Sequence, residues 1–167
     1  YGVPIYCTIE LLAARTDLFT RDRIEFPSTF NETVAAAKHF HKPSKGIYGI
    51  SWNGARGMPI ASTFMFLMGC CGESILNLPK SRLFFTVDKA VGEQLRPQIL
   101  SDAGLHVLDY LHQLIPYSTP DILETDWDRR TTAFLTGQTA MAYCWTVRAA
   151  RFEYDINSAV RHKVTYL

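Results

Sequence analysis

Hydrophobic positions change period several times along this chain, and each change marks an element. Ile5, Tyr6 and Ile9 are β-branched or aromatic and predict a first strand over residues 5–9, with Leu11, Leu12 and Ala13 extending its apolar character. Asp17-Leu18-Phe19 reads as a short helical turn. Pro27, Ser28 and Thr29 precede a helix start, and Glu32 stands three residues after Thr29, which is capping-box spacing. Val34, Ala35, Ala37 and Phe40 carry that helix to a stop before Pro43. Ile47–Ser51 reads as a short buried strand that runs into the loop Asn53–Pro59, whose two glycines let the backbone approach a ligand closely. Ile60–Met68 is apolar nearly all round, which predicts a buried helix.

The pattern is weakest over residues 69–97, where a strand is expected at Arg82–Val87. Ser101 caps the next helix, on which Leu105, Leu108, Leu111 and Ile115 recur at helical spacing before Pro116 ends it. A polar linker, Tyr117–Glu124, leads to a helix at Trp127–Leu135 with Gly137 at its C-terminal end. Thr139–Trp145 is the clearest strand of the chain. A short helix at Val147–Phe152 and a last strand at Val164–Leu167 follow. Strands separated by helices predict an α/β fold, a layered sheet flanked by helices.

Composition narrows the class without naming a function. At 167 residues, 47% hydrophobic and 20% charged, the chain suits one globular domain or one large lobe, and neither disorder nor a coiled coil fits. A net charge of +1 gives no field to recruit nucleic acid or an anionic membrane surface. The most apolar stretch, from Met58 to Cys71, is broken by Ser62 and Thr63 and is shorter than the roughly 20 residues a membrane helix needs. Opening at Tyr1 with no Met and no charged leader, the chain reads as a processed or truncated piece. Cys7, Cys70, Cys71 and Cys144 form no disulfide framework and no C-x-x-C pair, so free thiols packed in the interior are expected.

The candidate chemistry is mostly bland. Ser51 follows a short strand as a hydrolase nucleophile would, but the crowded elbow turn wants glycine two residues later and Asn53 stands there, so a strand-end hydroxyl is the plainer reading. His39 and His41 suit a helix C-terminus, and His106 and His112 suit the wet side of their helix. Asp121, Glu124, Asp126 and Asp128 cluster where a helix N-terminus attracts carboxylates, without metal-ligand spacing. The aromatic residues carry more. Trp52, Tyr143 and Trp145 lie at or beside strand ends, with Arg56 on the adjoining glycine loop. Sugar rings stack on such faces while Arg and Asn take hydroxyls. Equally, Tyr143 and Trp145 alternate onto one face of a strand and could both serve as core.

Several local motifs then align in order. Asp17-Leu18-Phe19, Pro27-Ser-Thr-Phe-Asn-Glu32, Tyr48-Gly49-Ile50, Cys71-Gly72, Ala133-Phe134-Leu-Thr-Gly137-Gln-Thr-Ala140-Met141 and the closing Val164-Thr-Tyr-Leu167 span nearly the whole chain. Together they resemble the extracellular solute-binding proteins of ABC importers, in the sugar-binding family that includes maltose-binding protein. Pro27–Glu32 is similar to that family's P-x-T-W-x-E helix start with Phe30 in place of tryptophan, and Ala133–Met141 to its A-F-x-x-G-x-x-A-M signature. The resemblance implies one lobe of a two-lobe periplasmic-binding-protein fold, residues 1–167 forming a single α/β lobe of the C-terminal type with its partner lobe absent. It further implies a non-catalytic receptor that binds a carbohydrate on the periplasmic or extracellular side and delivers it to membrane permease subunits, with no cofactor and no nucleic acid. Carried over by position, the implied ligand contacts are Thr8, Trp52, Asn53, Arg56, Tyr143 and Trp145, with Thr146 beside them; Tyr143-Cys144-Trp145-Thr146 departs from the family's usual pattern of a small residue and tryptophan. The same fold could instead serve a sensory domain, and a small serine hydrolase using Ser51 is the third alternative.

Overall fold

The structure, a computed structural model, describes Val3 and residues 5–78, 80–81, 84–85 and 90–167. Its main sheet has four strands: β1 (Glu10–Arg15), β2 (Tyr48–Ser51), β5 (Thr139–Trp145) and β6 (Val164–Tyr166), in the spatial order β2-β5-β1-β6. β2 runs parallel to β5, while β1 is antiparallel to both β5 and β6. Two-residue strands β3 (Lys80–Ser81) and β4 (Phe84–Phe85) pair separately, and the remainder of the strand expected at Arg82–Val87 lies outside the described residues. The helices are α1 (Thr16–Asp22), α2 (Phe30–Phe40), α3 (Met58–Cys70), α4 (Asp102–Leu114), α5 (Trp127–Leu135) and α6 (Thr146–Tyr154).

Alternation along the strands builds three layers. Leu12 and Ala14 of β1, Ile50 of β2 and Met141 and Tyr143 of β5 face a core shared with α2, α3 and α4. Ala13, Ala142 and Cys144 point the other way, against Phe134 and Leu135 of α5 and Ala149 and Phe152 of α6. β5 is buried on both faces, as a central strand covered by helices must be. The expected α/β sandwich is therefore present.

Local signals set the helix ends. Thr29 and Glu32 form the capping box: the Thr29 hydroxyl accepts from the Glu32 N–H at 3.2 Å and the Glu32 carboxylate accepts from the N–H groups of Ser28 and Thr29. Those bonds hold the Glu32 carboxyl below its usual range. Gly137, at φ +79, closes α5: its N–H donates to the Phe134 carbonyl and the Gln138 N–H to the Ala133 carbonyl. Asp126 caps the start of α5 by accepting from the N–H groups of Asp128 and Arg129, and Asp128 pairs with Arg148. The acidic cluster is thus a helix start with its counter-ions, and no group of metal-ligating side chains occurs among the described residues. No helix among them is long and apolar enough to cross a membrane.

Five expectations need correction. The first strand begins at Glu10, and Ile5, Tyr6 and Ile9 before it are exposed, because β-propensity makes a strand only where a neighbour offers a ladder. On α4 the buried positions are Val107, Tyr110, Leu111 and Leu114, while Leu105, Leu108 and Ile115 face outward; both sets satisfy the helical period, and the sheet selected the one carrying Tyr110. α3 is longer than its apolar run and open on one side, where Met65 is exposed and Ile60, Ala61 and Phe64 border an apolar surface pocket of about 400 Å³ with Leu108 and Leu111. Of the cysteines, all free, only Cys144 lies in the interior, and burial pushes its thiol up to about 12. The linker after α4 is also less loose than its polarity suggests, since Ser118 and Thr119 between its two 3₁₀ turns and Ile122 in the second are buried.

Two contacts give direct tests. A Cβ on Gly49 would overlap the Ala37 carbonyl where α2 crosses β2, so Gly49→Ala is expected to cost about 1–3 kcal/mol from overpacking, read by urea denaturation. Buried Ser118 accepts the Trp52 indole N–H at 2.9 Å and donates to the Leu114 carbonyl at 2.8 Å. Ser118→Ala strands that indole donor and is expected to cost about 1–3 kcal/mol in the same assay.

Candidate functional site

Parallel pairing of β2 with β5 puts their carboxyl ends at one rim of the sheet, Ser51 lying beside Ala142. β1 runs the other way and so begins at that rim, where Glu10 lies opposite Trp145. In open α/β sheets the crevice outside the carboxyl ends of the strands is where ligands bind. The register therefore gathers the starts and ends of three strands, residues 8–10, 52–56 and 143–146, along a single edge.

Within that edge the expected residues separate into two groups. Thr8 is exposed and its hydroxyl meets that of Thr146 at 3.2 Å; the Thr146 hydroxyl also accepts from the Ile9 N–H, and the Thr146 N–H donates to the Ile9 carbonyl at 2.9 Å. Trp145 is half-buried and lies against Trp127 of α5, ring centroids 5.6 Å apart. Arg56 is exposed and makes no ion pair among the described residues. Asn53 is 1% exposed, and both polar atoms of its side chain lack a partner. Thr8, Arg56, Trp145 and Thr146 present polar or aromatic groups at the rim, whereas the Asn53 amide is enclosed in the loop that follows β2.

Trp52 and Tyr143 belong to the core. Trp52 is 1% exposed with its indole N–H held by Ser118, so the structure corrects its reading as a stacking face: it supports the loop from beneath. The Tyr143 hydroxyl bonds that of Tyr110 at 2.7 Å, and burial holds both phenols above their ordinary range. Tyr143 touches Phe66 and borders a pocket of about 380 Å³ under α2 and α3, whereas Trp145 meets Trp127; the two aromatics of the β5 end thus have different neighbours. Ser51 is wholly buried with its hydroxyl unpartnered, a setting in which a nucleophile reaches neither base nor substrate.

The glycine loop is shaped by the protein itself. A Cβ at Gly54 would overlap the Ile122 carbonyl, and the Ala55 N–H donates to the Thr125 carbonyl at 3.0 Å. The close approach expected for a ligand is at Gly54 an approach to the turn before α5. Through Thr125, Asp126 and Trp127, that turn links the loop bearing Asn53 and Arg56 to the Trp127–Trp145 pair.

Sequence reading passed over three residues at this edge: Glu10, Trp127 and Arg130. Arg130 is wholly buried, its Nη1 bonds the Glu10 carboxylate, and its guanidinium carbon lies 5.8 Å from the Trp145 ring centroid. Nε and Nη2 of Arg130 and the indole nitrogen of Trp127 have no partner among the described residues. Burial pushes the Glu10 carboxyl up more strongly than the guanidinium draws it down. One signal was available. Glu10 is the single charge in the run Ile5–Ala14, and a charge there demands a partner.

No protein-family profile matches the sequence, and no curated protein matches it. Solved structures do. A solute-binding protein of an ABC transporter from Agrobacterium radiobacter K84, in complex with ribitol, is 29% identical with a TM-score of 0.77, over 94% of this chain and 36% of that one. Another from Agrobacterium vitis S4, with bound D-mannitol, is 20% identical with a TM-score of 0.81, over 99% of this chain and 37% of that one. The maltose-bound MalE3 of T. maritima is 21% identical with a TM-score of 0.74, over 96% and 38%. This chain spans less than two fifths of the length of each. Its fold is that of one lobe of an ABC transporter solute-binding protein, the group its motifs resemble.

Proposed function

We propose that this chain is the C-terminal-type lobe of a receptor that binds a sugar or polyol and hands it to the membrane permease subunits of an ABC importer, outside the cytoplasmic membrane. The observation that supports this most is the rim itself: a half-buried tryptophan backed by a second one, with the hydroxyls of Thr8 and Thr146 and the exposed Arg56 along the same sheet edge. Carbon-bound hydrogens of a sugar or polyol pack on an aromatic face, and its hydroxyls pair with side-chain hydroxyls that both donate and accept. Arg56 adds donors without an acceptor, suited to hydroxyl or acidic oxygens. The ribitol, mannitol and maltose held by the similar structures belong to the same chemical class.

Affinity would come from two lobes closing. Micromolar binding needs about −8 kcal/mol, and one open rim provides part of the contacts while leaving the ligand in water. The 167-residue lobe by itself is therefore expected to bind at millimolar strength or not at all, read by isothermal titration calorimetry; micromolar binding by the lone lobe would overturn this account of closure.

The direct test is a tryptophan-fluorescence and thermal-shift screen on the protein with both lobes, against neutral sugars, acidic sugars, polyols and oligosaccharides. A hit is expected, weakened at least about tenfold by Trp145→Ala or Arg56→Ala, in line with the loss of a central aromatic anchor or of a charged hydrogen-bond donor. Silence from a folded two-lobe protein across that panel would remove the solute reading.

A further inference from the structure

The Glu10–Arg130 pair is expensive, and its expense is informative. Arg130 is wholly buried and Glu10 is 8% exposed, so both charges have left water. A buried pair of this kind contributes to stability only when its remaining donors are satisfied, and apolar residues of similar volume often do as well. Here Glu10 answers one nitrogen of the guanidinium while Nε and Nη2 stay unpartnered. The bridge is therefore poorly made as a staple.

Its placement suits another purpose. Glu10 on β1 lies directly across the ladder from Trp145 on β5, so their side chains are immediate neighbours. Arg130 reaches this point from α5, and its guanidinium sits within cation–π range of the Trp145 ring, at 5.8 Å from the centroid. Trp127, three residues earlier on the same helix, lays its own ring against Trp145 at 5.6 Å and a 33° tilt. Three side chains from two elements, β1 and α5, thus converge on one indole, which stands where β5 turns into α6 and where no side chain caps the new helix. Without them Trp145 would be a half-buried aromatic at a chain reversal with several rotamers open to it.

We propose that the buried Glu10–Arg130 pair is a clamp that fixes the rotamer of Trp145, with Arg130 acting on the indole and Glu10 holding Arg130. Both are positioning residues, since each works through Trp145. The use of this clamp rests on the solute-binding reading: a platform already held in place spares the ligand the cost of ordering it, an advantage of about 3- to 10-fold in affinity.

The test reads the clamp without a ligand. Stacked indoles give an exciton couplet in far-ultraviolet circular dichroism, and Trp127→Phe in the full chain assigns the part due to Trp127 and Trp145. The double variant Glu10→Gln/Arg130→Met leaves no buried charge, so its melting temperature is expected to stay within a few degrees of the parent's. Its assigned couplet is expected to fall by at least half. A couplet retained in the folded double variant overturns the clamp. Arg130→Lys keeps a paired cation but not the planar guanidinium, and it is expected to lose part of the couplet while still folding; an unchanged couplet there overturns the proposal even if the double variant fails to fold. Titration of the protein with both lobes with ribitol, D-mannitol and maltose forms a separate arm, in which the double variant is expected to bind whichever probe the parent binds about 3- to 10-fold more weakly. Silence of the parent toward these probes bears on the solute reading, and the couplet still decides the clamp.

Discussion

The pairing of β5 with a parallel neighbour on one side and an antiparallel neighbour on the other governs the rest of this lobe. Because side chains alternate, that register sends Met141 and Tyr143 to α2, α3 and α4 and sends Ala142 and Cys144 to α5 and α6. A slip of one residue would exchange large and small side chains between two different helical layers, so the register is enforced from both faces at once. The same pairing brings the ends of β2 and β5 and the start of β1 to one rim. Fold and site are in this sense one decision: the strand that organises the core also delivers Trp145 to the edge.

The rim departs from the ordinary rules of a core. Elsewhere some buried polar groups are paired, as with Trp52 and Ser118 or Tyr110 and Tyr143, while single atoms of His41, Ser51, Thr119 and Thr139 go without a partner among the described residues. Along this edge a buried amide, two guanidinium nitrogens and an indole nitrogen go without partners among the described residues, and a carboxylate is buried at a cost its one arginine does not fully offset. Groups left in this state are costly to folding, and they concentrate where a protein meets something else. Of the helix ends, α2 has a capping box and α5 an aspartate cap with a glycine turn after it, whereas α1, α3 and α6 begin without a side-chain cap.

What could be read along the chain was whatever is set within a few residues. The Thr29–Glu32 box, the Asp126 cap, the Gly137 turn and the two-faced β5 strand each depend on side chains meeting their own nearby backbone, or on an apolar run too continuous to be half-exposed. Spacing over the whole chain also carried the resemblance to a solute-binding lobe, since the motifs keep their order. Tertiary structure decided what depends on a partner distant in sequence. Ile5–Ile9 has the composition of a strand but no ladder, whereas Glu10–Arg15, bounded by charges, has β5 on one side and β6 on the other. Leu105 and Leu108 share the helical period with Val107 and Leu111, and only the position of the sheet selected between the two faces. Trp52 and Trp145 are the same residue type at the ends of adjacent strands, yet one is enclosed by a serine 66 residues away and the other is left at the rim, because burial is a property of what folds over a side chain and not of the side chain itself.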